Sequence, residues 1–151
     1  SEIDREAIYN ALINDKIDII SSHHTPQDQD SKRLPFEQAE FGIIGFETLL
    51  PISLDLYFNG KMQLIKLIDK LTYQPAKLLN LNSGKLKIGS PADITLIDIN
   101  TPHKLKLENM ISKSKNSLFD DYDGKGKILY TIVDGRIVYS DPNFKQSAEK
   151  K

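Results

Sequence analysis

Two adjacent histidines, His23 and His24, stand where a short apolar run, Ile17-Asp18-Ile19-Ile20-Ser21-Ser22, passes into a long polar stretch. An imidazole there can bind a metal through a ring nitrogen or carry a proton near neutral pH. In parallel α/β architectures, catalytic groups converge at the carboxyl ends of strands. Side chains alternate along a strand, so at most one of the pair points into a site. The plainer reading is two loop histidines bonded to backbone, and His103, which follows Pro102, reads as incidental. Zinc takes three or four ligands. Two neighbouring histidines and the scattered carboxylates Asp28, Asp30 and Glu37 do not compose a local zinc site. Glu47 reads as structural, because a carboxylate at a helix start can hold loop N–H groups. Ser21, Ser22 and Thr25 flank the histidines, but a nucleophile elbow requires Gly-x-Ser-x-Gly, which Ile20-Ser21-Ser22-His23-His24 lacks. Gly42 and Gly45 lack the third glycine and the preceding strand of a dinucleotide fingerprint. They suit a loop closing onto a helix start, where N–H groups can meet an anion.

The elements that must carry these residues follow from periodicity. Ile3, Ala7, Ile8, Ala11 and Leu12 mark one helix face, with Ser1 as N-cap and Asn14-Asp15 as the break. Residues 17–22 predict a strand buried on both faces. Such a strand needs neighbours on both sides, and no second helix–strand repeat follows. Together with an opening at Ser1 rather than Met, this predicts the C-terminal part of a longer polypeptide. Residues 23–40 show no periodicity and predict a long functional loop. The apolar stretch 42–58 contains Pro51, which predicts a kink or two consecutive helices. A further helix is expected over about residues 61–71, with Leu64, Ile65, Leu67, Ile68 and Leu71 inward, and a short one near Pro75. After Asn82-Ser83-Gly84 the pattern turns strand-like at 86–88, 94–99, 105–107 and 128–139. Val133-Asp134-Gly135-Arg136 marks a hairpin there. The division expected is 1–82, 83–141 and a flexible tail at 142–151.

Composition excludes several classes. Twenty Lys+Arg against 21 Asp+Glu give a net charge of −1, without the basic excess a nucleic-acid binder needs. There is no cysteine, which removes disulfides and thiolate chemistry. Charge-free stretches such as residues 48–54 fall far short of the roughly 20 residues of a membrane-spanning helix. With no signal peptide in view, the expected setting is soluble and cytoplasmic.

Several segments together resemble the C-terminal end of a dihydroorotase, a cyclic amidohydrolase of the amidohydrolase superfamily. Ser1-Glu2-Ile3-Asp4-Arg5 and Ile17-Asp18-Ile19-Ile20 are similar to the family's S-E-x-D-R and I-D-V-I-A-T-D-H-A-P-H. Pro35-Phe36-Glu37-Gln38-Ala39 and Phe41-Gly42-Ile43-Ile44-Gly45-Phe46-Glu47-Thr48 resemble P-F-x-x-A-P-F-G-I-V-G-L-E-T. Thr72-Tyr73-Gln74-Pro75-Ala76-Lys77-Leu78-Leu79 resembles the family's helix before the β unit, and the run from Gly84 to Asp98 resembles its G-x-L-x-x-G-x-x-A-D-x-x-x-x-D, completing a likeness over about residues 1–140.

The resemblance implies an α/β fold: the end of a (β/α)8 metallo-dependent hydrolase barrel followed by strands of a small β-sandwich. Residues 1–82 would be the last helix–strand–helix part of the barrel, with 17–22 as its eighth strand, and 83–141 the sandwich part. It implies zinc, with most ligands outside this chain, so residues 1–151 alone are expected to be inactive. His23 stands where the family has an aspartate that binds metal and carries the proton, making it the candidate metal ligand and catalytic residue. Neutral imidazole can ligate but brings no negative charge. His24 and Pro26 match the family's next histidine and proline. Gln27 replaces a substrate-binding histidine, and Phe41 and Gly42 match its substrate-contacting pair. The implied reaction is reversible hydrolysis of the cyclic amide of dihydroorotate to N-carbamoyl-aspartate. The implied partners are that small molecule and either a second copy or aspartate transcarbamoylase, with neither nucleic acid nor membrane. The altered metal and substrate positions raise a second reading, a non-catalytic structural partner of aspartate transcarbamoylase. A third, an independent small binding module, is disfavoured by the unpaired strand. The isolated chain is expected to be poorly stable, because apolar faces made for absent neighbours would be exposed.

Overall fold

A computed structural model describes residues 1–144. Residues 145–151, most of the tail expected at 142–151, lie outside the described residues. Residues 142–144 form a helical turn, in which the Phe144 N–H donates to the Asp141 carbonyl at 3.2 Å.

Helix α1 (Glu2–Ile13) begins as its sequence dictates. Ser1 Oγ accepts the Asp4 N–H while the Asp4 carboxylate reaches back to the Ser1 amine, a capping box. The chain leaves the helix through Asn14 and then Asp15, whose φ is +56°. No residue of α1 is buried. Helix α2 (Gln29–Arg33) interrupts the loop expected over 23–40. Asp28 caps it by accepting the Ser31 N–H at 2.8 Å, and this bond holds the Asp28 carboxyl below its ordinary value. Asp30 in its first turn and Lys32 and Arg33 in its last complement the helix dipole. Helix α3 (Leu49–Phe58) is a single helix rather than a kinked pair. Pro51 is its third residue, where a backbone N–H has no intrahelical partner to lose. Helices α4 (Leu64–Leu71) and α5 (Tyr73–Leu78) follow. Leu67 of α4 is fully buried, but Ile65, expected inward, is 75% exposed.

The strand expected at 17–22 does not form. A strand exists through a ladder with a neighbour, and among the described residues this run meets α4 instead. The Ile20 N–H donates to the Lys70 carbonyl at 3.1 Å, and Lys70 Nζ donates to the Ile17 carbonyl at 2.6 Å. Strands β1 (Ile94–Lys104), β2 (Asp123–Val133) and β3 (Arg136–Ser140) make one sheet in the order β1-β2-β3. β2 and β3 pair antiparallel with Val133 opposite Arg136, and Asp134 and Gly135 both adopt positive φ, as a type I′ turn requires. Residues 86–88 form no strand, and Leu86 and Ile88 stand almost fully exposed with no ladder to join. Over 105–107, β1 has already ended and a 3-10 turn (Leu107–Asn109) begins.

The chain folds as two compact units, one from residues 1–20, 56–98 and 128 onward, the other from 21–55 and 99–127. In the first, two lysines of α4 fasten the turn after α1. Lys66 Nζ donates to the Ile13 carbonyl and to Asp15, each at 2.7 Å, while Lys70 Nζ meets Asp15 at 2.9 Å. Lys70 is buried, and a buried ammonium is tolerated only when paired in this way. In the second unit, Ile44, Leu105 and Met110 form a small core against Leu107, Phe119 and Tyr122. Among the described residues, no helix is long and apolar enough to cross a membrane.

Candidate functional site

The candidate residues all lie in the unit made of 21–55 and 99–127. His23 is exposed and takes a left-handed backbone, with φ +42°. Thr25 Oγ1 donates to the His23 carbonyl at 2.9 Å and lies 3.4 Å from the ring Nδ1.

His24 is differently employed. Its Nδ1 accepts the Gly45 N–H at 3.0 Å, and its ring stacks on Phe46 with centroids 3.9 Å apart and planes 6° from parallel. An Nδ1 that accepts carries no proton, so the neutral ring holds its hydrogen on Nε2. Neither nitrogen of neutral His24 is then a free metal donor. The approach needs glycine at 45, because a Cβ there would lie 2.4 Å from the Ser22 carbonyl oxygen. Gly42 is constrained likewise, by φ +113° and by Thr25 2.6 Å from where a Cβ would stand.

Gln27 and Phe41 are brought together directly, since Gln27 Nε2 donates to the Phe41 carbonyl at 3.1 Å. The Phe41 ring is 88% exposed. Gly42 joins them through Asn116, which bonds both the Gly42 carbonyl and the Gln27 N–H. Lys32 Nζ of α2 adds bonds to the carbonyls of Glu40 at 2.7 Å and Gly42 at 3.3 Å. His23 connects to this group through Thr25, whose hydroxyl donates to the His23 carbonyl and whose own carbonyl accepts Asn116 Nδ2 at 3.1 Å. The family resemblance points to Gln27, Phe41 and Gly42 and gives no hint of Asn116, which bonds to two of them. Its setting, Lys-Ser-Lys-Asn-Ser, reads as an ordinary polar loop, and a partner 89 residues away leaves no local mark.

Glu47 does what its position suggested. Its carboxylate accepts the N–H groups of Ile111 and Ser112 at 3.0 to 3.2 Å. His103 is half-buried, and burial, then Lys127, push its pKa down while Glu47 opposes them. The donor set among the described residues does not make a whole metal centre. Among the described residues, no three His, Asp or Glu side chains gather closely enough to hold an ion.

Comparison with known proteins is consistent over nearly the whole chain. A model of the Amidohydrolase family matches residues 1–138. A protein named dihydroorotase from Wolbachia sp. subsp. Drosophila simulans (strain wRi) is 44% identical over 140 residues, covering 93% of this chain and 32% of that protein. The dihydroorotase of Ehrlichia canis (strain Jake) is 43% identical, covering 93% and 31%. The L-hydantoinase (dihydropyrimidinase) structure from Arthrobacter aurescens superposes with a TM-score of 0.82 at 29% identity, over 88% of this chain and 31% of that one. A D-hydantoinase from Bacillus sp. AR9, at 23% identity and TM-score 0.86 over 93% and 32%, shares the fold. The chain spans about a third of the length of the curated relatives it matches.

Proposed function

The chain belongs to the amidohydrolase family, and from that premise we propose that the full-length protein carrying it is a dihydroorotase of pyrimidine metabolism. The reaction would open the cyclic amide of dihydroorotate to N-carbamoyl-aspartate, reversibly. The observation that carries this reading is identity of 43–44% to proteins named dihydroorotase across 93% of the chain. On the same reading, residues 1–82 are the last part of a (β/α)8 barrel and residues 83–141 belong to a small β-sandwich. The run 17–22, unpaired among the described residues, is then a barrel strand whose neighbours come from elsewhere in the polypeptide.

In this proposal Gln27, Phe41 and Gly42 bind the substrate ring. The Gln27 amide keeps a second N–H and its carbonyl oxygen for a ligand beyond its bond to Phe41. The Phe41 ring covers an apolar face, and the backbone at Gly42 approaches closely because no Cβ intervenes. His23 supplies one imidazole to a metal whose other ligands lie outside this chain, or holds a proton on Nε2 beside the scissile amide. Zinc, when bound, supplies polarisation of the carbonyl and acidification of water. His24 stays a support, because its Nδ1 is committed to Gly45.

The same His23 supports a second reading, a non-catalytic structural partner of aspartate transcarbamoylase, because imidazole brings no negative charge to a metal centre. One experiment separates the two. The full-length protein and its His23→Asp variant are supplied with zinc and offered dihydroorotate. Turnover by the wild type supports the enzyme. Turnover by His23→Asp alone, or by neither with co-purification of the transcarbamoylase, supports the structural partner.

A further inference from the structure

We propose that Asn116 is the positioning residue that sets the substrate-binding loops, fixing Gln27 and Gly42 relative to each other through one carboxamide; this rests on the dihydroorotase reading. Its half-buried side chain makes three bonds, all to the segments that bear the candidate substrate contacts. Nδ2 donates to the carbonyls of Thr25 and Gly42, each at 3.1 Å, and Oδ1 accepts the Gln27 N–H at 3.2 Å. The Asn116 carbonyl also accepts the Ile44 N–H at 3.0 Å. With the Gln27 to Phe41 bond, the two loops are tied both directly and through a third segment.

The chemistry of the side chain explains why asparagine does this. A planar carboxamide carries two donors and one acceptor in fixed directions. Aspartate offers no donor and would set a charge against two carbonyl oxygens. Leucine has the shape without the bonds. The carbonyl of Gly42, a glycine at φ +113° whose peptide plane can turn readily, is held by Asn116 Nδ2 at 3.1 Å together with the longer bond from Lys32 Nζ at 3.3 Å. Asn116 is itself anchored, by Glu47 on the N–H groups of Ile111 and Ser112 and by Lys115 Nζ on the Met110 carbonyl at 2.8 Å. It acts through Gln27 and Gly42 and touches no reacting atom. Loosening a binding group by about an ångström can cost on the order of 100-fold.

The test uses the full-length protein with zinc and dihydroorotate, comparing wild type with Asn116→Ala and the near-isosteric Asn116→Leu. The expected result is a KM at least tenfold higher with kcat within threefold, together with faster amide hydrogen exchange at Gln27. Should Asn116→Ala fail to fold, Asn116→Leu carries the measurement. Folded variants with unchanged KM, or with kcat reduced and KM unchanged, overturn the assignment and leave the dihydroorotase reading intact. A folded wild type that does not open dihydroorotate overturns that reading, and this assignment with it, before any variant is made.

Discussion

Helix α1 and the loops around His24 are held by opposite means. The helix has a capping box, an Arg5–Glu2 pair and acidic residues in its first turn, all within a few positions of one another, yet it buries nothing. Ile3 and Ile8 are 81% and 61% exposed. The loops have little regular structure, but their groups bond across 14 to 91 residues of sequence, from Gln27 to Phe41 and from Asn116 to Thr25. Local signals thus make an element, and they do not supply its packing partner. In the loops the long-range bonds do the fixing, and regular structure is dispensable.

Substitutions test how far that contrast goes. The largest effect is expected from Gly45→Ala, because a Cβ would press within 2.4 Å of the Ser22 carbonyl oxygen, a backbone atom that cannot swing aside. We expect a loss of about 3 kcal/mol in denaturant unfolding of the full-length protein. A loss below about 0.5 kcal/mol, the range of ordinary surface changes, would show that the 22–45 contact is slack.

His24→Ala comes next. It leaves the Gly45 N–H without its acceptor and removes the stack on Phe46. The expected cost is about 2 kcal/mol. His24→Asn, which can offer an amide oxygen to the same N–H, should recover part of it. Equal losses in both variants would assign the effect to stacking alone.

The smallest effect belongs to the surface turn after α1. Hydrogen bonds to Lys66 and Lys70 hold the Asp15 carboxyl below its ordinary value. A group depressed in the folded state stabilises above its unfolded pKa, and that contribution fades as pH falls through the folded value. The unfolding midpoint should therefore drop on acidification from neutral pH to pH 3, and drop less in Asp15→Asn. An identical slope in both proteins would remove Asp15 from the acid response.

What the sequence disclosed follows the same division. The cap at Ser1, the hairpin at Asp134 and Gly135, and the role of Glu47 were legible, because each depends on near neighbours or on one residue's chemistry. Helix α2 was also readable in principle from Asp28 as cap, Asp30 early and Lys32 and Arg33 late, but five residues give too short a pattern for apolar periodicity to register. Residues 17–22 and 86–88 were expected as strands from composition, and strands need ladder partners that composition does not reveal. At the candidate site, Gln27, Phe41 and Gly42 came from family resemblance. The carboxamide that joins them, Asn116, looks in sequence like any polar loop residue.

The central proposal is that the full-length protein opens the cyclic amide of dihydroorotate. Following conversion of dihydroorotate to N-carbamoyl-aspartate by the folded, zinc-supplied wild-type full-length protein tests it most directly. The account predicts ring opening that a chelator abolishes and zinc restores. Intact dihydroorotate at the end of the incubation, with the protein folded and loaded, would contradict it.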